Sequence, residues 1–213
     1  MTSSLSNRLL VEGPTDLVAI AELAEGNGIE WPKGNEPITI KPLGSKTPQQ
    51  SIVEGHLEAT GLKNLGVVLD ADDDAHETWK LFNSWFSSAF ADLPEMVPEG
   101  GFVSEVNLRG QRIGVWIMPD NRSVGTLETL LKKLVRADSD AVLQYAISAC
   151  DSAKQIGAPF KKVHEEKAHL FTWLAWQDEP ARNLKTVDFQ SVFNPQSEHA
   201  QPFIAWLRKL FLL

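Results

Sequence analysis

The chain predicts an α/β fold with a mainly parallel sheet flanked by helices, and three observations carry that reading. Short runs rich in Val and Leu alternate with stretches of helical periodicity through the first half of the sequence. The run Leu65-Gly66-Val67-Val68-Leu69 is continuous rather than alternating, as expected of a strand buried on both faces. Two such runs end in acids, Val11-Glu12-Gly13 and Leu69-Asp70-Ala71-Asp72-Asp73-Asp74. Ligands of open α/β sheets bind just beyond the carboxyl ends of strands, so these acids mark the expected place for a site.

Taken in order, Arg8-Leu9-Leu10-Val11 reads as a first buried strand, and Pro14-Thr15-Asp16 opens a helix over residues 17–24 with acids near its positive end. Gly26-Asn27-Gly28 stops that helix. Thr39-Ile40-Lys41 is a weaker strand flanked by prolines, which suits an edge. Residues 48–60 form a helix with Ile52, Val53 and Leu57 on one face, ended by Gly61. After the Asp-rich strand, residues 75–91 read as a helix striped by Trp79, Phe82, Phe86 and Phe90. Residues 101–107 and 112–118 flank Leu108-Arg109-Gly110-Gln111 as a β-hairpin. Gly125-Thr126-Leu127-Glu128 then leads into a helix through Val135. From Asp138 onward the pattern is helical, over roughly 139–155, 163–176 and 199–212, with an irregular connection at 178–195. The division is therefore a core over residues 1–137 and a helical appendage over 138–213 packed on it. The apolar end of the chain, residues 207–213, docks intramolecularly in this reading, with a homodimer contact as the alternative.

The composition is that of a globular protein, 43% hydrophobic and 23% charged. A formal charge of −8 argues against broad, non-specific nucleic-acid binding, though a local basic groove is compatible with it. The single cysteine, Cys150, excludes an internal disulfide and reads as a small buried packing residue. No secretion signal and no apolar stretch of about 20 residues is seen, so a cytoplasmic protein with no membrane partner is expected.

Four aspartates within residues 70–74 repel one another unless a cation or protons neutralise them, so a divalent metal is the first reading. An EF-hand loop is excluded, because Ala75 and Leu81 stand where it needs glycine and glutamate. A strand followed by Asp-x-Asp also resembles the first motif of the haloacid-dehalogenase phosphatases, with Asp70 as nucleophile. That motif usually opens its domain, whereas here a strand-helix-strand-helix unit precedes it. A solvated turn capping the next helix is the plainest alternative.

Read together, Val11-Glu12-Gly13 and Val68-Leu69-Asp70-Ala71-Asp72 resemble the two halves of the Toprim signature, found in topoisomerases, bacterial primases, ribosomal-RNA maturases and the overcoming-lysogenization-defect nucleases. The resemblance covers about residues 8–130. It implies a Toprim-like (Rossmann-like) core and one or two Mg2+ or Mn2+ ions beside a phosphodiester. In that picture Asp70 and Asp72 hold metal, and Glu12 binds metal or transfers a proton. Asp16, four residues after Glu12, and Glu128 in Thr126-Leu127-Glu128 resemble further acids of the lysogenization-defect branch. Each also fits a plain role, Asp16 as a helix-dipole partner and Glu128 as a first-turn acid behind a Thr126 cap.

No Walker-type loop accompanies them. Gly44-Ser45-Lys46-Thr47 has the wrong spacing, so an ATPase would have to act in trans. Residues 117–121 and 168–177 are similar to stretches of small stand-alone bacterial Toprim-like proteins, which have no established activity. Lys161-Lys162-Val163-His164-Glu165-Glu166-Lys167 supplies cations, and Lys167 is the expected catalytic lysine, with a solvated helix face as the alternative. His164 and His169 show no paired spacing with another histidine or cysteine and read as structural or surface residues. A topoisomerase is disfavoured because the only tyrosine, Tyr145, lies far in sequence from the acids. The expected function is metal-dependent phosphodiester hydrolysis on DNA or RNA, in nucleic-acid processing or phage defence. The alternatives are a non-catalytic Toprim-like binding module and an aspartate-nucleophile phosphatase.

Overall fold

The computed structural model describes residues 6–44, 50–87, 90 and 93–213. Residues 45–47 of the glycine-lysine loop, the first turn expected at residue 48 and most of the expected helix end at 88–91 lie outside them. Within this range a five-stranded sheet has the order β2-β1-β3-β5-β4. The strands are β1 (Asn7–Val11), β2 (Thr39–Pro42), β3 (Asn64–Asp70), β4 (Phe102–Val103) and β5 (Arg112–Met118). β1 pairs in parallel with β2 and β3, and β3 in parallel with β5, while β4 runs antiparallel to β5 at the edge. The hairpin is present, but its first arm shrinks to Phe102–Val103, paired to Val115 and Gly114. The proline-flanked strand takes the other edge, where Pro42 leaves no central ladder bond unmade.

Helices cover both faces, which is why β3 and β5 read as unbroken apolar runs. One face meets α2 (Gln50–Leu57) and α3 (Ala75–Phe86) through Leu65, Val67, Leu69, Ile113, Val115 and Ile117. The other, carrying Leu9, Val11, Val68 and Trp116, shares one continuous cluster with α1 (Pro14–Gly26), α4 (Leu127–Lys133), α5 (Asp140–Gln155), α6 (Glu165–Leu174), α7 (Phe189–Val192) and α8 (Gln201–Phe211). The late helices thus complete the core on that face. The irregular connection contains the short α7 and a 3-10 turn at Leu184–Thr186.

α8 docks against the sheet through a notch made by two glycines. Gly66 and Gly114 are register partners in β3 and β5. A Cβ on Gly114 would stand 2.6 Å from Leu210 Cδ2, and one on Gly66 would stand 3.0 Å from the same methyl. Neighbouring side chains would fill the space Leu210 takes. Trp206 Nε1 donates to the Phe102 carbonyl at 2.9 Å, tying the same helix to β4. Five tryptophans (Trp79, Trp85, Trp116, Trp173 and Trp206) are buried in the core. Cys150 is buried against α6, with Sγ 3.1 Å from Thr172 Oγ1. Among the described residues, no helix is long and apolar enough to cross a membrane.

Candidate metal centre at the strand ends

The sheet order reverses between β1 and β3, because the chain leaves β1 for β2 on one side and returns to β3 on the other. The crevice at the carboxyl ends of such a strand pair is where open α/β sheets bind ligands. Glu12 follows β1 and Asp70 ends β3, so topology alone brings acids more than fifty residues apart in sequence to one place. The Asp70 amide donates to Glu12 Oε1 at 3.0 Å.

Two helix N-termini complete the site. Gly13 caps α1 and Pro14 occupies its first turn, where a missing N–H costs nothing. The Gly13 amide donates to Asp16 Oδ2 at 3.1 Å, so Asp16 fulfils its helix-capping role while also facing the crevice. Asp70 Oδ1 accepts the Leu127 amide at 2.8 Å and so caps α4 from a neighbouring strand. Thr126 Oγ1 donates to Glu128 Oε2 at 2.9 Å, and Lys167 Nζ lies 3.2 Å from Glu128 Oε1. Glu128 is buried, unusual for a first-turn acid, whereas half of the Lys167 side chain is exposed. Glu12, Asp16, Asp70, Glu128 and Lys167 line one cleft of about 310 Å³, together with Gly13, Pro14, Thr15 and Gly44.

Asp72 is placed differently from the other expected ligands. The alternation that would have aimed it with Asp70 stops at the strand end, because Asp72 has a left-handed φ of 49° and an exposed side chain. It does not line the cleft. Its backbone instead exchanges two hydrogen bonds with Gly125, pinning the loop ahead of α4 to the loop after β3. Asp74 caps α3 by accepting the His76 and Glu77 amides, the role expected of the end of the acidic run.

Three acids of the cleft, Glu12, Asp16 and Asp70, resist ionisation. Burial raises Glu12 to about 7 against the pull of the Asp70 amide, with Asp16, Asp72 and Glu128 adding repulsion. Burial likewise raises Asp16 to about 6, where Glu128 raises it further and the Gly13 amide and Lys167 lower it. Asp70 is held well above the carboxylate range by burial and then by Glu12, Asp16 and Glu128, despite the Leu127 amide. A cation in the cleft would relieve this crowding, and the oxygen-only donor set suits a hard divalent ion. Among the described residues, no three of these carboxylates bring ligand atoms within 4.8 Å of one another.

A second constellation escaped the sequence reading. Asp151 of α5 and Glu165 and His169 of α6 place one ligand atom each within 4.8 Å of the others, close enough to hold a metal ion. His169 was weighed only against histidines and cysteines. The available signal was Glu165 four residues earlier, one helical turn away on the same face. Asp151 was invisible, because only the packing of α5 on α6 brings it near. Tyr145 is exposed on α5, its ring tilted 37° against that of Trp176 at a centroid distance of 5.7 Å.

No curated protein matches the chain, and no solved structure does. A family model described as a protein of unknown function (DUF3226) matches residues 6–212, nearly the full length and both the sheet and the late helices. The chain therefore belongs to the DUF3226 family.

Proposed function

We propose that this protein is a Toprim-type phosphodiesterase that hydrolyses nucleic acid with a divalent ion, Mg2+ or Mn2+. The observation that carries the reading is the convergence of Glu12, Asp16, Asp70, Glu128 and Lys167 on one cleft at the sheet's switch point. One or two of Asp70, Asp16 and Glu128 offer oxygens for the ion, with water and phosphate completing its shell, and exposed Asp72 lies near enough to Glu12 to repel it. A bound ion supplies Lewis-acid polarisation of a phosphoryl oxygen and a more acidic water.

The chain's own groups divide the remaining work. Glu12, raised to about 7, exchanges a proton near neutral pH at its carboxylate, and the Asp70 amide orients it. Lys167 reaches into the cleft from α6, where its ammonium neutralises charge on a phosphate. Thr126 and Lys167 together hold Glu128 in place.

The test is incubation of the purified protein with single- and double-stranded DNA and RNA in Mg2+ or Mn2+, beside an Asp70→Ala control. Cleavage by the wild type that disappears in the variant supports the reading, and identical traces sink it. Binding without cleavage would point to a non-catalytic module. A trapped phospho-aspartate on Asp70 would point to a phosphatase.

A further inference from the structure

We propose that Asp151, Glu165 and His169 form a second metal site, of the zinc class, that fastens α5 to α6. Glu165 and His169 stand one helical turn apart on α6 and so share a face. Asp151 projects from α5, the helix packed along that face. One donor atom from each residue lies within 4.8 Å of the others.

The independent mark of a ligand is His169 itself. The residue is only 6% exposed, and neither ring nitrogen has a hydrogen-bond partner. A buried polar atom without a partner carries a real penalty, so native structures seldom tolerate one without a reason. Asp151 Oδ1 lies 3.4 Å from His169 Nε2, an ion-pair distance, but is not aligned as a hydrogen bond. Two donors on a tetrahedral ion with bonds of about 2.1 Å sit roughly 3.4 Å apart, the same separation. A cation between them gives Nε2 the partner it lacks.

The donor set selects the ion. An imidazole nitrogen with two carboxylates suits Zn2+ or a neighbouring transition metal, whereas magnesium avoids nitrogen. The site therefore differs in kind from the all-oxygen cleft. Asp151 is half exposed, so an ion has an entry path and room for a water as fourth ligand.

The first turn of α6 then has three successive anchors. Glu165 binds the ion, Glu166 accepts from Thr129 and pairs with Lys132 at 2.9 Å, and Lys167 pairs with Glu128. Two of the three reach α4, and the ion adds the tie to α5.

The test uses the full chain stripped of metal and then held in excess Mg2+, so that the cleft is saturated with a hard ion. Zn2+ is titrated while the melting temperature is followed, and Co2+ is titrated while the visible spectrum is followed. The expected result is uptake of about one ion per chain, a rise of roughly 5–10 °C at saturating Zn2+, and the intense visible bands of tetrahedral Co2+. Both signals persist in Asp70→Ala and vanish in Asp151→Asn, whose position near the surface leaves the core intact. His169→Gln is the stricter variant, and where it fails to fold Asp151→Asn decides alone. Neither signal in the wild type, signals undiminished in Asp151→Asn, or signals lost in Asp70→Ala would each overturn the proposal. Because Mg2+ and Asp70→Ala address the cleft separately, failure here leaves the nuclease reading standing, and the reverse holds too.

Discussion

The backbone amide of Asp70 donates to Glu12 Oε1 at 3.0 Å, joining the exits of β1 and β3 through the Glu12 carboxylate. Glutamine at position 12 keeps an oxygen for that amide but cannot carry charge or release a proton. Glu12→Gln is therefore expected to fold like the wild type while cleavage slows about 100- to 10,000-fold, the usual worth of a general acid or base. Rates under saturating Mg2+, read beside a thermal melt, check this. Native-rate cleavage by the variant would reduce Glu12 to a structural acceptor.

The same residue gives the metal-free protein a pH signature. Glu12 titrates at about 7 when folded against 4.5 unfolded, and Asp16 at about 6 against 3.8. Both folded values are raised, so the folded state holds these protons more tightly. Their stabilising contribution is complete below the unfolded values and is lost as pH climbs through about 6 to 7. For Glu12 alone the loss is on the order of 3 kcal/mol. In chelator, urea melts should show stability falling more steeply between about pH 5 and pH 8 in the wild type than in Glu12→Gln. Added Mg2+ should stabilise more as pH rises, since it favours the ionised acids. Parallel slopes for the two proteins would contradict the assignment.

Lys167 separates charge from structure. Its side chain is half exposed, so Lys167→Met should cost only about 1 kcal/mol despite freeing buried Glu128. Cleavage should fall far more than stability, and Lys167→Arg should restore part of it. A kinetic comparison of the three proteins at matched folded fraction decides. Equal rates throughout would make the lysine a mere counter-ion for Glu128.

The glycine notch predicts a purely structural effect. Gly114→Ala puts a methyl about 2.6 Å from Leu210, and overpacking of this kind costs about 1–3 kcal/mol. Leu210→Ala opens the same contact from the other side, at about 2–5 kcal/mol. The double variant should recover part of the loss, because the new methyl occupies space that Leu210 vacates. Strict additivity in denaturant melts would mean that α8 does not seat in the notch.

Local chemistry made much of this protein legible in advance. The apolar continuity of residues 65–69 announced a strand covered on both faces, and the prolines around Thr39-Ile40-Lys41 announced an edge. Asp73 and Asp74 stand where caps or dipole partners of the next helix are expected, and Asp74 supplies the cap. Glu12 and Asp70 were nameable because each closes an apolar run, whereas Asp16 and Glu128 entered through the resemblance to the lysogenization-defect branch.

Other features depend on contacts between residues distant in sequence. The strand alternation that would aim residues 70 and 72 alike stops at Asp70, because a left-handed φ at Asp72 turns its side chain to solvent and gives its backbone to Gly125. The hairpin's first arm kept only Phe102–Val103, since side chains replace backbone partners beyond it: Ser104 Oγ accepts the Ile113 amide and Asn107 Oδ1 accepts the Gln111 amide. Asp70 caps α4 across fifty-seven residues, and Asp151 meets His169 only because α5 packs on α6. The alternation of elements and the acids at the strand ends follow from local periodicity and capping, and so are written in the order of residues. Which acids face one cleft, and which imidazole lies buried beside two carboxylates, follows from the whole fold, because it sets side-chain direction at a strand end and the packing of helix on helix.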